Sequence, residues 1–460
     1  MRVLLIQPRA SLAVLDQLFM HEPLALEYLG AGLKLDGHEV ELLDTRLNPD
    51  VDGAFARFRP HMVGLTGYTS QAGSIRSLAR HLKALDPRIT VVVGGHHATV
   101  QPVDFNDAAV DMVVIGEGVA ALREIVVQME RGGDRGDIRG LGIPRPDGMI
   151  FSELRPYTNL DQIPVPDRSL SEPHRQQYFM EWMRPIASIR TSLGCFSRCS
   201  FCSLWAITGG RYLTRAPEAV VAELATIAEE CIFLCDDESM CDASRMNRLA
   251  DLIRSAGIRK RYMLYARADT VIRHPALFRK WREIGLEVVY MGLETSSDQR
   301  LRALKKGITI EQQTAAAKIL DDLDILLYAS FMIDPDFTRD DFHSLVAYVR
   351  QLDLKHASFG VLTPLPGSEL YRQRRHELTT EQPEFFDFVH SVLPTRLPRE
   401  EFYAEFAALF ENAVPFHHLL RTLLKYGPRQ IGTQMNLFGT AMQAIRELHL
   451  GAERGAASGV

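Results

Sequence analysis

Cys195, Cys199 and Cys202 stand at the spacing C-x3-C-x2-C and account for half of the six cysteines in 460 residues. Thiolates at such spacing are metal ligands first and packing residues second. A structural zinc site wants four ligands, and no fourth accompanies these three. Three thiolates fit an iron-sulfur cluster with one iron left open, and an open coordination position marks a catalytic site. Gly194, Ser197 and Ser200 make the loop tight and polar. Cys231, Cys235 and Cys241 follow an x3-then-x5 spacing that matches no metal template. Cys231 and Cys235 fall on one face of a strand, where free cysteine is an ordinary core residue.

The elements around the loop set its position. A strand-like run over 186–193 leads into it. Further strand-like runs follow at 231–235, 262–266, 287–293, 326–333 and 357–362, separated by helical patterns at 217–229, 243–256, 275–284, 310–320 and 340–352. Six β/α units predict a partial TIM-type barrel, whose active site lies beyond the strand ends. Polar residues gather there: Asp236, Asp237 and Glu238 after the second run, Arg267 after the third, Glu294 after the fourth, and Thr363 and Pro364 after the sixth. Such carboxylates and arginines also serve as helix caps or solvated charges. Upstream, residues 2–131 alternate five short apolar runs with helical patterns, which predicts a Rossmann-like, doubly wound parallel sheet. Ligands of such sheets bind at the carboxyl ends of the strands. The matching turns hold Thr66, Tyr68 and Ser70, then Gly94, Gly95, His96, His97 and Thr99, then Gly116, Glu117 and Gly118.

The cysteine loop, with Phe201 before the last cysteine, resembles the radical SAM superfamily. That resemblance implies a 4Fe-4S cluster on Cys195, Cys199 and Cys202. It also implies that S-adenosylmethionine chelates the fourth iron and is cleaved by one electron to a 5'-deoxyadenosyl radical. Phe201, Asp236, Asp237, Glu238, Arg267, Glu294 and Pro364 correspond to its SAM-binding positions. The glycine turns of residues 2–131 resemble the cobalamin-binding domain that precedes one large class of these enzymes. The implied cobalamin contacts are Thr66, Tyr68, Ser70, Gly94, Gly95, His97, Thr99, Gly116, Glu117 and Gly118. Glycines let the backbone approach a flat ligand, and hydroxyls can bond its nucleotide tail. Asp36-Gly37-His38 departs from the D-x-H-x-x-G pattern of other cobalamin enzymes, so His38 is not expected to ligate cobalt. The turn Asp334-Pro335-Asp336-Phe337-Thr338 resembles that of cobalamin-type relatives, including the anaerobic magnesium-protoporphyrin cyclase and hopanoid groups.

The expected organisation is a cobalamin unit over 1–132, a connector with a hairpin over 133–184, a barrel over 185–390, a helical subdomain over 391–450 and a disordered tail over 451–460. Helical spacing is read over 400–412, 416–425 and 438–448. A net charge of -6 gives no support for nucleic acid as a partner. No apolar run reaches 18 residues, so no transmembrane segment is expected. The first residues are too short an apolar stretch for a signal peptide, and the few cysteines suit a reducing cytoplasm. The expected activity is cobalamin-dependent radical methyl transfer to an unactivated carbon of a small molecule. An electron donor such as flavodoxin or ferredoxin is its expected partner. A non-methylating cyclase or rearrangement enzyme of the same class is the alternative, and a cluster-bearing sensor without catalysis is a third.

Overall fold

The computed structural model describes residues 1–9, 19–133, 136–157, 159–180 and 182–414, with His418, Ile445 and Leu448. The helices expected at 416–425 and 438–448 and the tail lie outside this set, apart from those three residues.

Five parallel strands build the first sheet: β1 (Arg2–Gln7), β2 (Glu39–Asp44), β3 (Met62–Thr66), β4 (Thr90–Gly94) and β5 (Met112–Val114). Their order is β2-β1-β3-β4-β5, which is doubly wound. Both faces are covered: Leu4, Ile6, Val63 and Leu65 pack on one side, and Val3, Leu5, Met62 and Val92 on the other. This is why the strands read as unbroken apolar runs rather than alternating ones. Five helices flank them: α1 (Leu24–Leu35), α2 (Val51–Phe58), α3 (Ala72–Leu85), the short α4 (His96–Val100) and α5 (Gly118–Arg131). The hairpin expected in the connector, β6 (Leu141–Ile143) and β7 (Ile150–Phe151), adds to this sheet antiparallel to β5. Gly142 and Leu141 pair with Val113 and Val114, so the hairpin closes an edge that would otherwise stay unpaired.

The second sheet is wholly parallel and runs β8 (Ile186–Ile189), β9 (Cys231–Leu234), β10 (Arg261–Tyr265), β11 (Leu286–Glu294), β12 (Leu326–Ile333) and β13 (His356–Val361) in sequence order. Its outer face and the surrounding helices share one large apolar core. The run expected as one strand over 186–193 breaks after Ile189. Ser192–Leu193 instead pairs with Leu213–Thr214 in a small ribbon that lifts the cysteine loop.

A buried ionic cluster joins the two sheets. Glu22, from the loop before α1, accepts the Ser188 backbone N–H of β8 and pairs with Arg175 of the connector. Arg175 also reaches Glu229 at 2.6 Å, and Arg168 and Arg215 clamp Glu223 at 2.8 and 2.6 Å. Glu27 of α1 accepts from Ser171 and is fully buried. Burial, and then the Glu22 charge, push its carboxyl up to about 8. A raised carboxyl contributes stability below its unfolded value near 4.5 and loses it as pH climbs through about 8. Thermal melts should therefore show the melting temperature falling between about pH 4.5 and 8, and a Glu27→Gln variant should flatten that slope.

Candidate active site

Each end of the cysteine loop is fastened by a neighbouring strand end. Asp236, just past β9, is 2% exposed. Its carboxylate accepts the Thr191 and Ser192 backbone N–H groups at 2.6 and 2.8 Å and the Thr191 hydroxyl at 2.6 Å. Asp237 accepts the Gly194 N–H at 2.7 Å. Arg245, from the helix Ala243–Ser255, donates to the Thr191 carbonyl at 2.7 Å. At the far end Ser200 bonds the Leu304 carbonyl at 2.9 Å and the Leu370 N–H at 2.7 Å, and Trp205 Nε1 donates to the Ser197 carbonyl at 2.7 Å. Gly194 has φ 102°, and a Cβ there would lie 1.9 Å from the Arg211 carbonyl oxygen. Only glycine fits that turn.

Asp236, expected with Asp237 and Glu238 as a SAM contact, spends three hydrogen bonds on holding the loop. Replacing it by alanine strands two buried N–H groups at about 1–3 kcal/mol each. Asp236→Ala should melt well below wild type, and Asp236→Asn, which keeps an acceptor for those groups, should melt between the two.

The three thiols are half-buried on this loop. Among the described residues no three His, Cys, Asp or Glu side chains come close enough to hold a single metal ion. The thiols suit a cluster, whose irons are spread over several ångströms and take one thiolate each. The donors around them favour thiolates: the Ser197 N–H points at Cys195 Sγ at 3.5 Å, and Arg267 Nη1 lies 3.9 Å from Cys199 Sγ. Cys241, which its spacing left in the background, hydrogen-bonds Cys195 and draws it down to about 6, whereas burial pushes Cys202 up to about 11. Glu238 lies beside Cys241 and Thr270; burial pushes its carboxyl up to about 7, and neither oxygen accepts a well-formed hydrogen bond. Such a group suits an incoming amine donor. Glu294, held at φ 67°, pairs with Lys306 at 2.5 Å, and Lys306 in turn sits 5.9 Å from the centre of the Phe201 ring. Arg267 also bonds Asp269 and the Lys306 carbonyl. Lys306 and Arg245 carry no motif, and only their contacts bring them into the site. Pro364 lies buried in the turn after β13. In that turn a Cβ on Gly367 would meet Ala206 and Val100, one from each unit.

The carboxyl edge of the first sheet faces this loop. Tyr68 is 67% exposed, yet Arg190, Cys235 and Asp237 of the barrel lie within electrostatic reach of it. A gap between the two units is therefore bordered by Tyr68, whose ring is left uncovered. His96 bridges the gap: its Nε2 lies 3.1 Å from the Ser203 hydroxyl, next to Cys202, and its ring lies 5.6 Å from that of Tyr68. Burial holds His96 down at about 4, so it is neutral, and its Nδ1 is buried without a partner. That orphaned atom, the exposed Tyr68 ring and the space beside Gly94, whose Cβ would meet nothing nearer than Val114 at 3.6 Å, fit a large flat ligand rich in amides.

Several expected cobalamin contacts are engaged elsewhere. His97 is buried and bonds Thr69 at 3.1 Å and Asp104 at 2.9 Å, so neither ring nitrogen is left for a ligand. The Thr99 hydroxyl donates to the Gly95 carbonyl and accepts from the Gly116 N–H, tying two turns together. Glu117 caps α5 through the Val119 and Ala120 N–H groups. Gly116, at φ 88°, pairs with Arg155, and Gly118 begins α5. Gly95, at φ 95°, packs on Thr66, where a Cβ would meet the hydroxyl oxygen at 2.3 Å. Ser70 sits in the turn Thr69–Gln71 that leads into α3.

Below the cysteine loop the inner face of the barrel is only partly covered: Phe233, Met263 and Val288 are buried there, and Tyr265, Tyr290, Leu326 and Tyr328 pack against them without being fully covered. Along β12, Leu327, Ala329, Phe331 and Ile333 are buried outward, while the inward Leu326, Tyr328, Ser330 and Met332 stay half-exposed. A filled barrel would bury both sets. Tyr265, Tyr290, Tyr328 and His356 are register partners on four adjacent strands, with successive ring centroids 5.0, 5.1 and 5.9 Å apart. Phe233 and His21 continue the row at one end and Trp182 at the other. Tyr290 meets the Ser358 hydroxyl at 3.2 Å.

The first unit matches the B12 binding domain family over residues 12–126, and the second matches the Radical SAM superfamily over residues 189–349. Fold and site together define a cobalamin-dependent radical SAM enzyme. The chain is 31% identical to the hopanoid C-3 methylase of Methylococcus capsulatus, over 84% of this chain and 75% of that one. It is 25% identical to the anaerobic magnesium-protoporphyrin IX monomethyl ester cyclase of Rubrivivax gelatinosus, over 87% and 75%. Its fold is that of the cobalamin-dependent S-adenosylmethionine radical enzyme OxsB, with a TM-score of 0.74 at 15% identity over 97% of this chain and 71% of that one. The chain belongs to the cobalamin-dependent radical SAM methyltransferase family, and its cofactors are cobalamin, a 4Fe-4S cluster and S-adenosylmethionine. Among the described residues no helix is long and apolar enough to cross a membrane.

Proposed function

We propose that this enzyme methylates an unactivated carbon of an uncharged, ring-bearing small molecule held in the barrel bore. The aromatic row from Phe233 to His356, partly covered on the inner face of the barrel, carries this reading. Stacked phenols and imidazoles grip a flat apolar body, and the Tyr290–Ser358 pair can orient an oxygen on it. The 31% identity to a hopanoid methylase points to the same substrate class, so a hopanoid is the first candidate to assay.

When bound, the cofactors supply a hydrogen-abstracting radical and a transferable methyl group. The chain's own residues bind, orient and exclude water. Cys195, Cys199 and Cys202 hold the cluster. Glu238 accepts the SAM amino group, Arg267 faces its carboxylate, and Phe201 with the Glu294–Lys306 pair borders the rest. Thr66, Tyr68, Ser70 and His96 contact cobalamin, and Gly94 leaves room for it. Setting both reactive centres on one chamber replaces a bimolecular radical encounter by a positioned one. Burial of the chamber keeps solvent from the intermediates.

Anaerobic incubation with methyl-labelled S-adenosylmethionine, a chemical reductant and a hopanoid tests the proposal. Label in the product is the expected result. Deoxyadenosine with an unlabelled, rearranged product would favour the cyclase reading suggested by the Rubrivivax relative.

A further inference from the structure

The aromatic row on the inner wall of the barrel has a charged residue at one end. Ile186 of β8 packs inward, and Ala187 and Ile189 pack in the outer core, so alternation turns Arg190 inward. The Cys235 N–H donates to the Ile189 carbonyl at 3.0 Å, which continues the β8–β9 ladder and sets Arg190 beside Cys235. Leu234 pairs with Leu264, so the same layer runs on through Tyr265, Tyr290, Tyr328 and His356. All six are half-buried, whereas Phe233, Met263 and Val288 one layer beneath are buried. Of the six, Arg190 alone carries a fixed charge. Its backbone is held, since Arg215 donates to its carbonyl at 2.9 Å. Its guanidinium makes no hydrogen bond or ion pair among the described residues. Around β8 that is an exception: Arg168, Arg175 and Arg215 bond carboxylates, and Arg245 bonds the Thr191 carbonyl. Asp237 lies within electrostatic reach of Arg190, but beyond ion-pair distance, and accepts the Gly194 N–H instead. Burial keeps Cys235 a neutral thiol, pushed up to about 12. Tyr68 of the first unit and Tyr157 of the connector also lie within reach of the guanidinium, which therefore borders the gap between the units.

We propose that Arg190 is a specificity-determining residue that hydrogen-bonds the oxygens of a hydroxylated end of the substrate, while the ring body lies on the tyrosines toward His356. The inference rests on the reading that the substrate occupies this row. A guanidinium offers five N–H donors in a fixed fork and no acceptor. A ligand that fills the bore must supply oxygens to those donors or leave them stripped of water and unpaired. A hydrocarbon end is penalised on that ground. A second anion is not called for, because Asp237 already offsets the charge from a distance. Three strand spacings, about 14 Å around the wall, separate Arg190 from Tyr290. The Tyr290–Ser358 pair and Arg190 therefore read different parts of one molecule.

The test uses three hopanes with one ring system, whose side chain ends in a methyl group, a vicinal diol or a carboxylate. Each is titrated into the holoenzyme and into its Arg190→Leu and Arg190→Lys variants, and dissociation constants are read from ligand-dependent melting curves. Wild type should hold the diol about tenfold to a hundredfold more tightly than the methyl-ended hopane. Arg190→Leu should bind those two within about threefold of each other. Arg190→Lys, which keeps a cation and donors but not the fork, should fall between. Without ligand, Arg190→Leu should melt no lower than wild type, because no protein partner is stranded. Four results would each overturn the proposal: a preference for the diol that survives in Arg190→Leu, a wild type that binds the methyl-ended hopane as tightly as the diol, a wild type that prefers the carboxylate, or a ligand-free Arg190→Leu that melts well below wild type. Stabilisation of wild type by none of the three would overturn the hopanoid reading above and this proposal with it.

Discussion

Gly194→Ala should purify folded but without its cluster, and its S-adenosylmethionine cleavage should fall to background. The added Cβ would sit 1.9 Å from the Arg211 carbonyl oxygen, a distance no side chain tolerates. Arg211 belongs to the turn that feeds the ribbon partner of Ser192–Leu193, so it cannot yield without unpairing that ribbon. The positive φ of 102° adds backbone strain for any other residue. The barrel core is distant from this turn and should survive, so circular dichroism should look native while the visible thiolate-to-iron absorption is lost. Gly257→Ala is the control. Its φ is also positive, at 65°, but a Cβ there meets nothing within 4 Å. It should cost about 1 kcal/mol of stability and leave the absorption intact.

Arg175→Met should lower stability by about 3–5 kcal/mol, because it leaves buried carboxylates uncompensated. Glu22 and Glu229 lose their direct partner, and Glu27 loses a nearby positive charge at 3.8 Å. Glu22 accepts the Ser188 N–H as well, so the disturbance reaches the first barrel strand. Arg175→Met combined with Glu22→Gln should recover part of the loss, since an amide oxygen can still accept from Ser188 without carrying charge. Denaturant melts of the two variants check this. A single variant that melts like wild type would mean that water reaches the cluster and screens it.

What could be read before the fold was known followed physical scale. Long-period apolar patterns pointed to both sheets, and β12 runs over the residues its pattern predicted. The cysteine loop could be picked out by spacing, because its three thiols lie close together in sequence. Contacts made between distant segments were out of reach. Asp236 reads the same as Asp237 in a run of three acids, and only the fold turns one toward Thr191 and Ser192. His97 and His96 are adjacent in sequence, but helical geometry aims one into the first unit at Asp104 and the other across the gap at Ser203. Lys306 and Arg175 sit in no recognisable motif. Their roles arise from burial next to carboxylates that lie 12 and 153 residues away.

The half-exposed inner face of β12 has a thermodynamic side. A barrel of this kind normally closes its centre with its own side chains. This one fills its centre in part, with Phe233, Met263 and Val288, and leaves Tyr328, Ser330 and Met332 only partly covered. Whatever enters the bore therefore supplies contacts that belong, in other barrels, to the hydrophobic core. Ligand binding and folding become one equilibrium, and each tenfold rise in free ligand above its dissociation constant adds about 1.4 kcal/mol to the stability of the native state. The right substrate should announce itself as a stabiliser before any turnover is measured, which turns a melting curve into a screen for the missing molecule.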